Sequence, residues 1–70
     1  MKGVPVKIIY QGKETETAPT TVGAFLSAKG IAAGKVVIEY KGDILSGEDA
    51  ASATLEDGAE LNVFRIVAGG

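Results

Sequence analysis

The stretch TTVGAFLSAKG, Thr20 to Gly30, is the one amphipathic helix this chain spells out in full, and its other apolar runs alternate like strands. Val22, Phe25 and Leu26 stand at i, i+3 and i+4, with Thr20 or Thr21 placed to cap the start and Gly30 to close the end. A helix with one apolar stripe must bury it against a second layer, and here only strands are on offer. VPVKIIY alternates Val4, Val6, Ile8 and Tyr10 against Lys7 and Ile9; QGK turns it, and the Thr-rich ETETA returns as an edge strand. After the helix, KVVIEY reads as a strand, KGD as a turn, IL as a short edge piece, LEDGAE as a turn on Asp57-Gly58, and LNVFRIV as the last strand. The order predicts an α+β roll, a mixed sheet of four to five strands with one helix across one face. Gly23, in the first turns of that helix, costs up to about 1 kcal/mol against alanine, and close approach of the helix to the sheet is the expected reason.

A chain of 70 residues buries only about 60% of its unfolded surface, which leaves no deep cleft between lobes. The net charge of −2 supplies no basic surface for phosphate backbones, so nucleic acid is not an expected ligand. With no cysteine and no histidine, the sequence holds neither a thiolate nucleophile nor the usual general base, and it lacks the commonest metal ligands. MKGVPVKIIY carries no long apolar run and no small-residue cleavage site; no signal peptide, no membrane span and a cytoplasmic home are therefore expected.

Three motifs have structural readings that outweigh their chemical ones. GIAAGK, Gly30 to Lys35, has three residues between its glycines where a phosphate loop has four, no Ser or Thr after the lysine, and a helix before it in place of a strand. Glu48 and Asp49 follow Ser46 in SGED, so they serve the start of a short helix rather than an acid/base dyad or a metal. Glu56, Asp57 and Glu60 read as a solvated turn, with an acidic rim for a basic partner groove as the alternative.

Strand parity divides the sheet. If Val4, Val6, Ile8, Val36, Ile38, Leu61 and Val63 face the helix, then Ile9, Val37, Phe64 and Ile66 point to the uncovered face. Several apolar side chains on adjacent strands in water mark an interaction surface. A loop over Phe64 and Ile66, or a slip of one residue in the last strand, would cover them instead.

The chain closes on FRIVAGG, an apolar strand running straight into Gly69 and Gly70. A terminal carboxylate, with a pKa of about 3.5, is ionised at neutral pH and is a poor electrophile until activated. Attack on the α-phosphate of ATP would give an acyl-adenylate, which a persulfide converts to a thiocarboxylate. Two residues without Cβ lie flat in a narrow channel, and from Val67 to Gly70 the extended reach is about 13 Å.

IIYQGKE, TVGAFL, VVIEYKGDIL and LEDGAELNVFRIVAGG resemble, in order and spacing, the ThiS-type sulfur-carrier proteins, and the closing VAGG preceded by EDGAELNV is the specific part. Two departures are the prefacing MKG and Ser46-Gly47, where the family often has Pro-Arg. The resemblance implies a ubiquitin-like β-grasp domain over residues 1–67 and a flexible Gly-Gly tail at 68–70. It implies a carrier rather than an enzyme, with Gly70 and Gly69 as the sulfur-carrying terminus. Phe64, Ile66, Ile9, Val37 and Ala68 become the partner-binding candidates. The implied partners are a ThiF-type adenylating enzyme that uses ATP and Mg²⁺, a ThiG-type thiazole synthase, and sulfur derived from a cysteine desulfurase; the chain itself binds no cofactor. A MoaD-type molybdopterin synthase subunit, a tRNA-thiolation carrier and a ubiquitin-like modifier are the alternatives. The lack of proline near the tail favours the thiazole pathway, since Pro5 and Pro19 are both remote.

Overall fold

The computed structural model describes residues 4–65; the expectations for Ile66, Ala68, Gly69 and Gly70, and for the boundary at residue 67, lie outside that range. The strands are β1 (Val6–Tyr10), β2 (Lys13–Thr17), β3 (Val36–Tyr40), β4 (Asp43–Leu45) and β5 (Glu60–Arg65), with helices α1 (Val22–Ala28) and α2 (Gly47–Ser52) and a 3₁₀ turn at Ala33–Lys35. One sheet results, in the order β2-β1-β5-β3-β4. Strand β5 pairs parallel to β1 and antiparallel to β3, so it lies in the middle of the sheet.

Both hairpins are set by their turns. Gln11 and Gly12 have φ of 52° and 80°, and Lys41 and Gly42 have 55° and 86°. Two successive left-handed residues make the mirror-image turn that matches strand twist, and glycine takes the second position without steric cost. Register follows: Tyr10 faces Lys13, and Tyr40 faces Asp43.

Thr21 caps α1 by accepting from the Ala24 N–H at 3.2 Å. At the other end the Ile31 and Gly30 N–H groups donate to Leu26 and Ser27, a Schellman closure. Val22, Phe25 and Leu26 are buried on the helix, and Ile8, Ile38, Leu61 and Val63 meet them from the sheet. Each fully buried aliphatic contributes roughly 1.5–3 kcal/mol.

The fold class is as read from the sequence, and so is the short helix begun at Ser46; the neighbour of Gly23 and the place of Val4 are corrected. A second helix, α2, lies beside the first and buries Ala50. Its backbone is what Gly23 accommodates: a Cβ there would stand 3.1 Å from Ala51 Cα, so the close approach is to α2 and not to the sheet. Val4, expected in the core, is 80% exposed because β1 begins only at Val6.

Candidate functional site

The outer face of the sheet holds the expected patch in altered form. Phe64 and Val37 are directly paired across β5 and β3, which confirms the register of the last strand through Arg65. Phe64 is 52% exposed and Val37 half-buried. Ile44, which faces Glu39 and so lies diagonal to Val37, is 65% exposed and extends the patch across β4. Sequence reading missed it because DIL is only three residues long, although the KG turn before it fixes the register that turns Ile44 outward and Leu45 inward.

Ile9 shares that face but stands apart. It faces Glu60, four residues before Phe64 on β5, with Asn62 between them. Glu14 and Glu16 face Ile9 and Lys7 on β2, and Glu39 accepts from the Asn62 side-chain amide at 3.3 Å. Glu39 thus borders the patch Phe64–Val37–Ile44, while Glu14, Glu16, Glu60 and Lys7 surround Ile9 further along the same face.

Strand β5 runs on past the end of β1, and a side chain holds it there. Beyond Gln11 the β1–β2 hairpin turns away, which would leave the next residue of β5 without a neighbour on that side. Gln11 fills the gap. Its Oε1 accepts from the Val63 N–H at 2.7 Å and its Nε2 donates to the Val63 carbonyl at 3.0 Å. At the far end of β5, the Lys7 N–H donates to Asp57 Oδ1 at 2.9 Å and Gly58 N–H to the Lys7 carbonyl at 2.6 Å, clamping the preceding turn to β1. Strand β5 is held at both ends.

The remaining motifs behave structurally. Ser46 Oγ accepts from the Asp49 N–H at 3.0 Å, so Glu48 and Asp49 occupy the first turn of α2. Lys35 closes the 3₁₀ turn with its N–H on the Ala32 carbonyl. Glu56 pairs with Lys41 at 3.0 Å, and that hydrogen bond with the carboxylate's charge raises the Lys41 pKa above its ordinary value. Among the described residues no three His, Cys, Asp or Glu side chains gather as a metal site, and no helix is long and apolar enough to cross a membrane.

A family model described as the ThiS family matches residues 6–70. Comparison with curated proteins gives no significant match. Among solved structures the chain is similar to the crystal structure of the thiamine biosynthesis protein ThiS from Geobacter metallireducens, with 26% identity and a TM-score of 0.78, covering 93% of this chain and 100% of that one. It is also similar to the solution structure of a thiamine biosynthesis protein from the same organism, with 26% identity and a TM-score of 0.73, covering 93% of this chain and 88% of that one. A central last strand, a helix layer on one face and a family match that continues through the final glycines agree: this ubiquitin-like β-grasp chain belongs to the ThiS family.

Proposed function

We propose that this protein is a cytoplasmic sulfur carrier for the thiazole half of thiamine, loaded and emptied at Gly70 by partner enzymes. The observation that carries the reading is a family match that runs from β1 through the Gly69-Gly70 pair. Thiamine as the pathway rests on the similar proteins, both of them thiamine biosynthesis proteins.

The chemistry needs no catalytic group on this chain. The Gly70 carboxylate oxygen attacks the α-phosphorus of ATP in a ThiF-type enzyme, with Mg²⁺ held there; a C–O–P linkage forms and pyrophosphate leaves. Persulfide sulfur from a cysteine desulfurase then attacks the acyl carbon and AMP departs. A thiol cleaves the resulting S–S bond and is oxidised to a disulfide, leaving the thiocarboxylate for a ThiG-type synthase. Glycines suit a terminus that must lie flat in two different active sites, since they have no Cβ to collide with the walls.

Incubation with the ThiF-type enzyme and ATP, followed by intact mass, tests this. The wild type should gain adenylate and, with a sulfur donor, an oxygen-to-sulfur exchange. A variant with one residue added after Gly70 should keep its fold and gain neither. Adenylation of the extended variant would sink the claim that Gly70 is the reactive terminus. Recovery of the protein attached to larger chains would make it a modifier instead.

A further inference from the structure

The helix-side surface beside the end of β5 is an open groove of about 590 Å³ whose lining includes Tyr10, Ile31, Val36, Val63, Lys35 and Arg65. Its walls are apolar and its lip is basic. Arg65 faces Val36 across the β5–β3 ladder, and Lys35 ends the 3₁₀ turn just before it. Lys29 Nζ lies 5.3 Å from the centre of the Tyr10 ring and 5.0 Å from that of Phe25, and Lys13 faces Tyr10 across the hairpin. Two of the seven basic residues of an acidic protein, Lys35 and Arg65, therefore line the groove, and two more, Lys29 and Lys13, flank Tyr10 at its edge. The one ion pair among the described residues joins Lys41 to Glu56, so none of these four has a carboxylate within pairing distance there. Across the sheet the sign reverses, with Glu14, Glu16, Glu39 and Glu60 sharing the outer face with Lys7.

Basic side chains around an apolar groove fit a ligand with the opposite pattern, carboxylates bracketing an apolar side chain. We propose that this groove docks an acidic segment of the adenylating enzyme that receives the tail, so that contacts of opposite sign on the two sides of the sheet orient the terminus. The inference rests on the carrier reading for the identity of that protein, and on the groove alone for the chemistry.

Two measurements test it. In the first, a synthetic peptide of Glu and Asp around a single Leu is titrated into the labelled protein. The amides of Tyr10, Ile31, Val36 and Val63 should shift, and Lys35→Glu or high salt should abolish the shifts. In the second, association with the ThiF-type enzyme is timed at two salt concentrations. Lys35→Glu and Arg65→Glu should each slow association by about tenfold at low salt and flatten its salt dependence, while Lys41→Glu, at the other end, should associate like wild type. Absence of peptide shifts, or equal rates and salt slopes in all variants, overturns the proposal. So do two other results: inorganic triphosphate displacing the peptide, which makes this a small-anion site, and loss of residues 66–70 shifting the groove amides of the free protein, which makes the occupant the chain's own tail. If the peptide binds as expected but wild-type protein is never adenylated, the groove assignment stands and the carrier reading fails.

Discussion

Gln11 and Val63 are joined by two hydrogen bonds, from side-chain amide to backbone, so that one side chain takes the place of a strand residue where β1 has already turned away. Since this is the last tie on that side of β5 before Arg65, its removal should loosen the end of β5 more than the rest of the domain. Gln11→Ala is expected to cost about 1 kcal/mol by urea denaturation. Gln11→Glu should cost more, because a carboxylate cannot donate to the Val63 carbonyl. Amide exchange at Val63 should rise in both. An unchanged exchange rate in Gln11→Glu would show that the strand holds itself.

Gly23→Ala opposes two effects of known size. At an unobstructed helix position alanine gains about 1 kcal/mol over glycine. Here its Cβ would meet Ala51 Cα at 3.1 Å and the Ala50 carbonyl oxygen at 3.3 Å. Those are backbone atoms, and α2 cannot simply retreat. Ala50 is fully buried, Ser46 caps one end, and the Val22 N–H holds the Ala53 carbonyl at 2.8 Å. The variant should lose about 1–3 kcal/mol. A gain in stability would mean that α2 slides outward at little cost.

Tyr40→Phe isolates a single oxygen. The hydroxyl donates to the Thr54 carbonyl and accepts from the Glu56 N–H, both at 2.8 Å, stitching the loop between α2 and β5 to the sheet. The ring stays and both bonds go. A loss of about 1–3 kcal/mol is expected, with faster amide exchange at Glu56. Stability equal to wild type would show that water replaces the hydroxyl.

The Lys41–Glu56 pair has a defined pH signature. Because the folded-state pKa of Lys41 is raised, first by the hydrogen bond to Glu56 and then by its charge, the pair's contribution is fully present below the ordinary value of 10.5 and is lost as pH rises through the folded-state value. Thermal melts of Glu56→Gln should lie slightly below wild type at neutral pH and converge with it at high pH. Both side chains are largely exposed, so the gap should narrow in high salt. A gap that widens with pH would reverse the sign.

The sequence made legible what is decided locally. Gly12 and Gly42 announce hairpin turns, Thr21 and Gly30 bracket α1, and period-two alternation separates Ile8 from Ile9 and Val63 from Phe64. What it hid is decided by distant neighbours. Helix α2 shows its start in Ser46, Glu48 and Asp49, but with one buried residue, Ala50, it carries no apolar stripe to say what it packs against. The partner of Gly23 lies 28 residues away at Ala51, and nothing about Gln11 in a turn announces a bond to Val63. Ile44 escaped notice because a three-residue strand offers too short a pattern to assign a face.

The outer patch yields the sharpest separation of binding from folding. Phe64 rests against Val37, and its exposed half touches no core residue, so Phe64→Asp should lower stability by about 1 kcal/mol or less through the lost cross-strand pair. If the same ring anchors a partner, its loss should weaken binding to the ThiF-type enzyme by about 2 kcal/mol or more, roughly thirtyfold. The geometry adds an internal comparison. Ile44 lies diagonal to Val37, whereas Ile9 lies about 13 Å along the sheet from Phe64, at roughly 3.3 Å per residue. Ile44→Ser should therefore weaken binding more than Ile9→Ser, even though Ile9 is the more buried of the two. Calorimetric titrations beside thermal melts decide it. If Phe64→Asp unfolds the domain, the ring belongs to the core; if Ile9→Ser is the more damaging to binding, the docking surface lies across β1 and β2 and the patch on β3, β4 and β5 is incidental.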